Sequence, residues 1–282
     1  ILEYYTAMNC FNFATSQAEG IMASAAKGFA ISKYTNYITS MQDKILDKNP
    51  DGMLMPFLSN HDMDRIAGAF VTENNMKMAA NLYLLCSGSP VIYYGEEIGM
   101  RGSRGSESTD ANRRLAMLWG DDDLIRDPVG STYPEKNQIS TTVADQLEDE
   151  NSLLRYYCKL LTIRHKYPAI ARGQYTAING SKNFGGFLIT YEGETYGLLH
   201  NTSTDEVSVD LSQIEGFSFE SFTAVGRGSF AVPLTRASLV SLMPGQMQPP
   251  RNTPPSSITP KVVAVPKSMK MQGPPYSACA PT

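Results

Sequence analysis

The stretch Met53-Leu54-Met55-Pro56-Phe57-Leu58-Ser59-Asn60-His61-Asp62-Met63-Asp64-Arg65 decides the fold. Its first six residues are apolar without alternation, as in a strand covered on both faces, and they run directly into an imidazole and carboxylates. Buried strands with polar residues at their carboxyl ends are the grammar of parallel α/β proteins, whose sites lie beyond those ends. Upstream, Tyr34, Tyr37, Ile38, Met41 and Ile45 recur at helical spacing and predict a helix ending near Asn49-Pro50. Downstream, Met76, Ala79, Ala80, Tyr83 and Leu84 predict a helix over about residues 75–86, and Pro90-Val91-Ile92-Tyr93-Tyr94 reads as another buried strand before Gly95.

Further out, Leu153, Leu154, Tyr157, Leu160 and Leu161 form the stripe of one more helix over 151–165, with Asp149 or Asn151 as its N-cap. From Gln174 the period changes to two, in Phe187-Leu188-Ile189-Thr190-Tyr191 and Val207-Ser208-Val209-Asp210-Leu211, which predicts a small antiparallel β-domain. From Pro244 onward the chain carries ten of its 17 prolines, four basic residues and no acidic one, and reads as a tail or linker.

Composition narrows the function classes. The chain has 282 residues, 42% of them hydrophobic, so it is long enough to bury a core and is not disordered throughout. Its apolar runs fall short of the ~20 residues that span a bilayer. With 24 basic against 28 acidic residues, a net charge of −4 and no basic stripe, nucleic acid is not the expected partner. The cysteines Cys10, Cys86, Cys158 and Cys279 show no CxxC spacing and indicate neither a zinc site nor a disulfide framework. The chain opens on Ile1 inside what reads as a folded segment and is expected to be part of a longer protein, which leaves localisation and oligomeric state unread.

Several chemistries compete at residues 59–65. Neighbours on an extended chain point to opposite faces, so Ser59, His61 and Asp62 do not suit a nucleophilic triad. A metal held by His61 with Asp62 or Asp64 lacks further ligands at recognisable spacing. A capped strand end whose polar groups satisfy the following loop remains open. Glu96 and Glu97 diverge as adjacent residues and do not read as a catalytic pair. Tyr93 and Tyr94 read as core more than as sugar platforms, and His165 and His200 as structural. Asp121-Asp122-Asp123 and Glu148-Asp149-Glu150 read as solvated loops or helix starts.

Phe57-Leu58-Ser59-Asn60-His61-Asp62-Met63-Asp64-Arg65 resembles the "FxxNHDxxR" element that ends the seventh strand of the α-amylase family of glycoside hydrolases. Pro90 to Met100 resembles the eighth strand and the loop after it. Asp110-Ala111-Asn112-Arg113-Arg114-Leu115-Ala116-Met117-Leu118-Trp119 is similar to the family's "D-x-x-R-x-P-M-x-W" stretch, with Ala116 where proline is usual. Asn9-Cys10-Phe11-Asn12-Phe13 resembles the sixth strand, and Asn151 to Pro168 the helix before the family's C-terminal β-domain.

The resemblance implies an α/β fold: the C-terminal portion of a (β/α)8 TIM barrel, about strands 6 to 8, over residues 1–172. A small antiparallel β-sandwich domain over 173–243 and the Pro-rich tail over 244–282 would follow. It implies a retaining α-glucan hydrolase acting on starch or malto-oligosaccharides, with Asp62 as transition-state stabiliser and His61 as a donor to a neighbouring hydroxyl. Asp110 with Arg113 or Arg114 resembles a pair that binds sugar further along; a surface ion pair is the other reading. The family's nucleophile and acid/base lie at the ends of the fourth and fifth strands. This chain is expected to lack both and to be inactive alone, and a non-catalytic glucan-binding relative or truncation product is the alternative. No cofactor is identifiable; calcium is expected, if at all, through residues upstream.

Overall fold

The computed structural model describes residues 9–120 and 124–204, and the backbone of three further short strands. Strands β1 (Asn9–Asn12) and β2 (Met53–Pro56) pair in parallel, with Cys10 opposite Leu54 and Asn12 opposite Pro56. Parallel neighbours need a crossover, which is helical here: α1 (Ile21–Ala26) and α2 (Ile31–Leu46). The predicted stripe of α2 is its buried face, with Tyr34, Ile38, Met41 and Ile45 all withdrawn from solvent. Helix α3 (Glu73–Leu84) follows β2 and starts at Thr72, whose Oγ1 accepts the Asn75 amide at 3.2 Å.

The chain then returns beside β2. The Ser89 amide donates to Leu54 O at 2.7 Å and the Val91 amide to Pro56 O at 2.9 Å. Gly88 makes this approach possible: its φ is +94°, and a Cβ there would stand 2.1 Å from the Leu54 carbonyl oxygen. The segment is less than the buried strand predicted over Pro90–Tyr94. Pro56 of β2 has no amide hydrogen to return a bond to this segment, and residues 92–94 leave β2, partly exposed, to enter the turn at Gly95.

Helices α4 (Val143–Glu148), α5 (Leu153–Lys166) and α6 (Ala169–Arg172) complete the helical layer. The N-cap of α5 is Ser152, whose Oγ accepts the Arg155 amide at 3.2 Å; Asp149 instead accepts the Asn151 amide at 2.8 Å. The buried face is Leu153, Tyr156, Tyr157, Leu160 and Ile163, while Leu161 is 37% exposed. The periodicity located the helix but placed Leu161 on the wrong side of its stripe. Arg164 of α5 donates from Nη1 to Leu84 O and Cys86 O, both at 2.8 Å, and from Nη2 to Gly88 O. These bonds satisfy carbonyls that the end of α3 leaves open.

Strands β3 (Gln174–Asn179), β4 (Phe184–Tyr191) and β5 (Glu194–Asn201) form an antiparallel meander. Beyond it, β6 (Thr223–Ala224) and β7 (Ala231–Val232) both pair with β8 (Ser238–Leu242), and β8 lies parallel to β5. From Gln174 on, the described strands therefore make one sheet whose β3–β4–β5 meander is antiparallel, as expected, and to which β8 adds in parallel. Helices supply the second layer. Tyr34 of α2 stands edge-on to Phe187 of β4 at 5.5 Å. Gln42 of α2 donates to Gly173 O at 2.9 Å and accepts the Tyr175 amide at 2.8 Å. Tyr34, Tyr83, Leu160, Phe187 and Leu198 belong to one apolar cluster that joins the helices to this sheet. The strand expected at Val207–Leu211 and the tail over 244–282 lie outside the described residues. None of the described helices is long and apolar enough to cross a membrane.

Candidate functional site

Beyond β2 the chain stays buried through Phe57, Leu58 and Ser59, emerges at His61 and Asp62, and is buried again at Arg65. The exposed arc is a turn set by Asn60, whose Oδ1 accepts the Asp62 amide at 2.9 Å while its carbonyl accepts the Met63 amide at 3.2 Å. Both ends of the arc are fastened to the loop that follows the Ser89–Val91 segment.

The first fastening is Ser59 to Glu96. The Ser59 amide donates to Glu96 Oε1 at 2.9 Å, and the Ser59 hydroxyl donates to the same oxygen in a shorter contact. Glu96 is 3% exposed, and burial pushes its carboxyl up to about 8 against the opposing effect of the two Ser59 bonds. The neighbouring Glu97 is also raised by burial.

The second fastening is Arg65. Its amide donates to Gly102 O at 2.8 Å and its Nη1 to Tyr94 O at 2.6 Å. Its guanidinium lies 4.6 Å from the ring centroids of both Tyr93 and Tyr94. The tyrosines hold the next segment as well: Tyr93 OH donates to Arg113 O at 3.0 Å and Tyr94 OH to Leu115 O at 2.7 Å. Both rings thus serve as framework, but Tyr94 is 39% exposed and Tyr93 partly so, and neither is the core residue that the sequence suggested.

That framework carries Asp110, Arg113 and Arg114 to the arc. Arg114 Nη2 donates to Asp62 Oδ1 at 3.1 Å and Arg114 Nε to His61 O at 3.1 Å. His61 Nε2 lies 3.3 Å from Asp62 Oδ2. Arg113 donates from Nε to Asp64 Oδ1 at 2.7 Å, and from Nη1 to Asp62 O at 2.9 Å and Asp110 Oδ1 at 3.2 Å. Arg104 Nε also reaches Asp110 Oδ1, at 3.1 Å. All five residues singled out from sequence thus meet in one ionic cluster. Of the residues that hold them there, the sequence raises Ser59 and Glu96 only as candidates for catalysis and Arg65 only as part of the motif. Arg65 and Ser59 stood inside the quoted motif, but only the fold shows that they are buried anchors.

The side chain of Asp62 is 65% exposed. It faces a cleft of about 720 Å3 lined also by Asp64, Arg65, Arg101 and Arg113. An exposed carboxylate aimed by an arginine is an acceptor without a burial penalty, suited to hydroxyl donors of a polar ligand. Among the described residues, no group of three His, Cys, Asp or Glu side chains is placed to hold a metal ion. His165 is exposed on α5, and His200 is buried on β5, where burial pushes it down to about 3 and keeps it neutral.

Residues 4–173 match the family model of the α-amylase catalytic domain. The chain is 34% identical to the α-amylase SusG of Bacteroides thetaiotaomicron over 189 residues, covering 62% of this chain and 26% of that protein. It is 31% identical to α-amylase 3 of Dictyoglomus thermophilum, covering 73% of this chain and 41% of the relative. Among solved structures, Eubacterium rectale Amy13B superposes with a TM-score of 0.66 at 33% identity, over 73% of this chain and 42% of that one. The chain thus spans between a quarter and about two fifths of the length of these relatives.

Proposed function

The chain belongs to the α-amylase family of glycoside hydrolases, and on that premise we propose that it is the C-terminal part of a retaining α-glucan hydrolase in which Asp62 stabilises the transition state. One observation carries the reading: Asp62 stands exposed at the end of a strand in a parallel pair, aimed by Arg114 and His61 and open to a cleft. In this reading β1, β2 and the Ser89–Val91 segment are the sixth, seventh and eighth positions of a (β/α)8 barrel. Phe11 and Phe13, 50% and 58% exposed beside β1, support it as the face that earlier strands would cover.

Cleavage with retention passes through an oxocarbenium-like state and needs a nucleophilic carboxylate and an acid about 5 Å apart. Asp62 would accept hydroxyl protons of the sugar at the cleavage point, and its charge would oppose the positive charge developing on the ring. His61, already beside Asp62, would donate to a neighbouring hydroxyl. Asp64 and Asp110 are tied to Arg113 and Arg104 and serve the scaffold of this site. The nucleophile and acid/base are assigned to upstream strands, and calcium, where present, to upstream ligands. The substrate is an α-glucan such as starch or a malto-oligosaccharide. The test is release of reducing ends from soluble starch. The chain alone should release none, and in the complete gene product Asp62→Asn should lower kcat by about a thousandfold or more with an unchanged thermal melt. Near-normal kcat in that variant removes Asp62 from the mechanism.

A further inference from the structure

Among the described residues, the Asp62 carboxylate is met by Arg114 and His61, whose side chains are 43% and 63% exposed. Exposed pairs of this kind fix a position weakly. A catalytic group has to be held to within about 0.5 Å, so the backbone must supply the placement. Three residues before Asp62, the amide and the hydroxyl of Ser59 both donate to Oε1 of Glu96. We propose that Glu96 is a positioning residue for Asp62, acting through Ser59; the inference rests on the reading of Asp62 given above.

Three observations carry it. First, Glu96 is buried, so water does not compete for the oxygen that holds Ser59. Second, its other oxygen faces the helical layer. The Tyr83 hydroxyl of α3 lies 3.4 Å from Glu96 Oε2, and Tyr83 stands edge-on to Tyr157 of α5 at 6.3 Å. Both rings are buried, so one carboxyl joins the arc to two packed helices. Third, another hold on the arc runs through the same loop. Arg113 Nη1 donates to the Asp62 carbonyl, Tyr93 OH donates to the Arg113 carbonyl, and the Tyr93 carbonyl accepts the Glu96 amide at 3.0 Å. The ionisable groups facing Glu96 are Tyr83, Tyr157, Glu97 and Arg65, and burial outweighs the guanidinium, raising the carboxyl to about 8. A neutral acid accepts both Ser59 bonds on one oxygen and carries its proton on the oxygen toward Tyr83, a pattern that a glutamine amide reproduces.

The test is a cycle of variants in the complete gene product, with release of reducing ends from soluble starch as the assay. A misplacement of about 1 Å costs roughly a hundredfold in rate. Glu96→Ala should therefore lower kcat by about ten- to a hundredfold with KM changed less than about threefold, and Glu96→Gln should recover most of that loss. In an Asp62→Asn background, Glu96→Ala should cost about twofold or less, because no carboxylate is left to place. Ser59→Ala removes one of the two bonds at little change in volume and serves where Glu96→Ala does not fold; it should cost severalfold in kcat, again absorbed by Asp62→Asn. An equal fold-loss in both backgrounds, as a merely structural role gives, would overturn the proposal. So would a loss confined to KM, or normal kcat in both Glu96→Ala and Ser59→Ala. A large effect of Asp62→Asn beside such results leaves the reading of Asp62 standing and sinks this inference alone. Near-normal kcat in Asp62→Asn itself removes both.

Discussion

Glu96 makes the pH dependence of stability a test of the site's framework. Its carboxyl is raised from 4.5 to about 8, with burial as the main cause. The folded chain therefore holds a proton that the unfolded chain releases between those two values. Across that window the native state binds more protons, so this contribution is complete below about pH 4.5 and is lost as pH rises to 8. At about 1.4 kcal/mol per tenfold, the loss is on the order of 5 kcal/mol, a large share of the roughly 5–15 kcal/mol that holds a domain together. Glu97, also raised by burial, acts with the same sign. Glu96→Gln keeps an acceptor for Ser59 and cannot ionise. The assay is urea unfolding of both proteins at intervals from pH 5 to 9. Wild-type stability should fall relative to Glu96→Gln by several kcal/mol across the series, with the variant the more stable at the alkaline end. A difference constant within about 1 kcal/mol would refute the assignment of Glu96 as a buried, protonated anchor.

His200 works in the opposite direction: burial lowers it from 6.5 to about 3, so its contribution is present above 6.5 and lost as pH falls toward 3. His200→Leu should flatten the fall in Tm between pH 6.5 and 4. Gly88→Ala should cost about 3 kcal/mol or more in urea unfolding, because it combines a positive φ with a clash on the Leu54 carbonyl. Arg164→Met should cost about 3 kcal/mol or more by the same assay, since it strips donors from the carbonyls of Leu84, Cys86 and Gly88.

The sequence made the helices legible because each buries a stripe at helical spacing. Tyr34 to Ile45 and Leu153 to Leu160 are examples, and the error at Leu161 is a one-position rotation. Strand Met53–Pro56 was legible from its apolar run, although only the Leu54 and Pro56 face is fully buried and Met53 and Met55 are partly exposed. The segment at Pro90–Tyr94 misled for a physical reason: apolar content signals burial, whereas strand identity depends on amide donors, and Pro56 opposite this segment has none to return. The alternation at Phe187–Tyr191 located β4 but not its partners. A parallel contact between β5 and β8 joins segments far apart in sequence, and period-two patterning carries no information about which neighbour a strand takes.

The same distinction explains the site. His61, Asp62, Asp110, Arg113 and Arg114 are exposed or partly exposed polar residues, and polar residues at strand ends and in loops announce themselves in a sequence. Ser59, Arg65 and Glu96 are buried, and their importance is a matter of contact across 37 residues for Ser59 with Glu96 and 29 for Arg65 with Tyr94. In the proposed reading the chemistry sits on exposed groups and the fastening on buried ones. The cluster around Asp62 stays in contact with solvent, where its ion pairs are individually weak and rearrange at little cost. On the proposed reading, Arg114 would be able to leave Asp62 for a ligand's hydroxyls while the Ser59 and Arg65 fastenings hold the arc in place. Losing a fastening should disturb Asp62 without touching it, and losing Arg114 should alter ligand binding while leaving the fold intact.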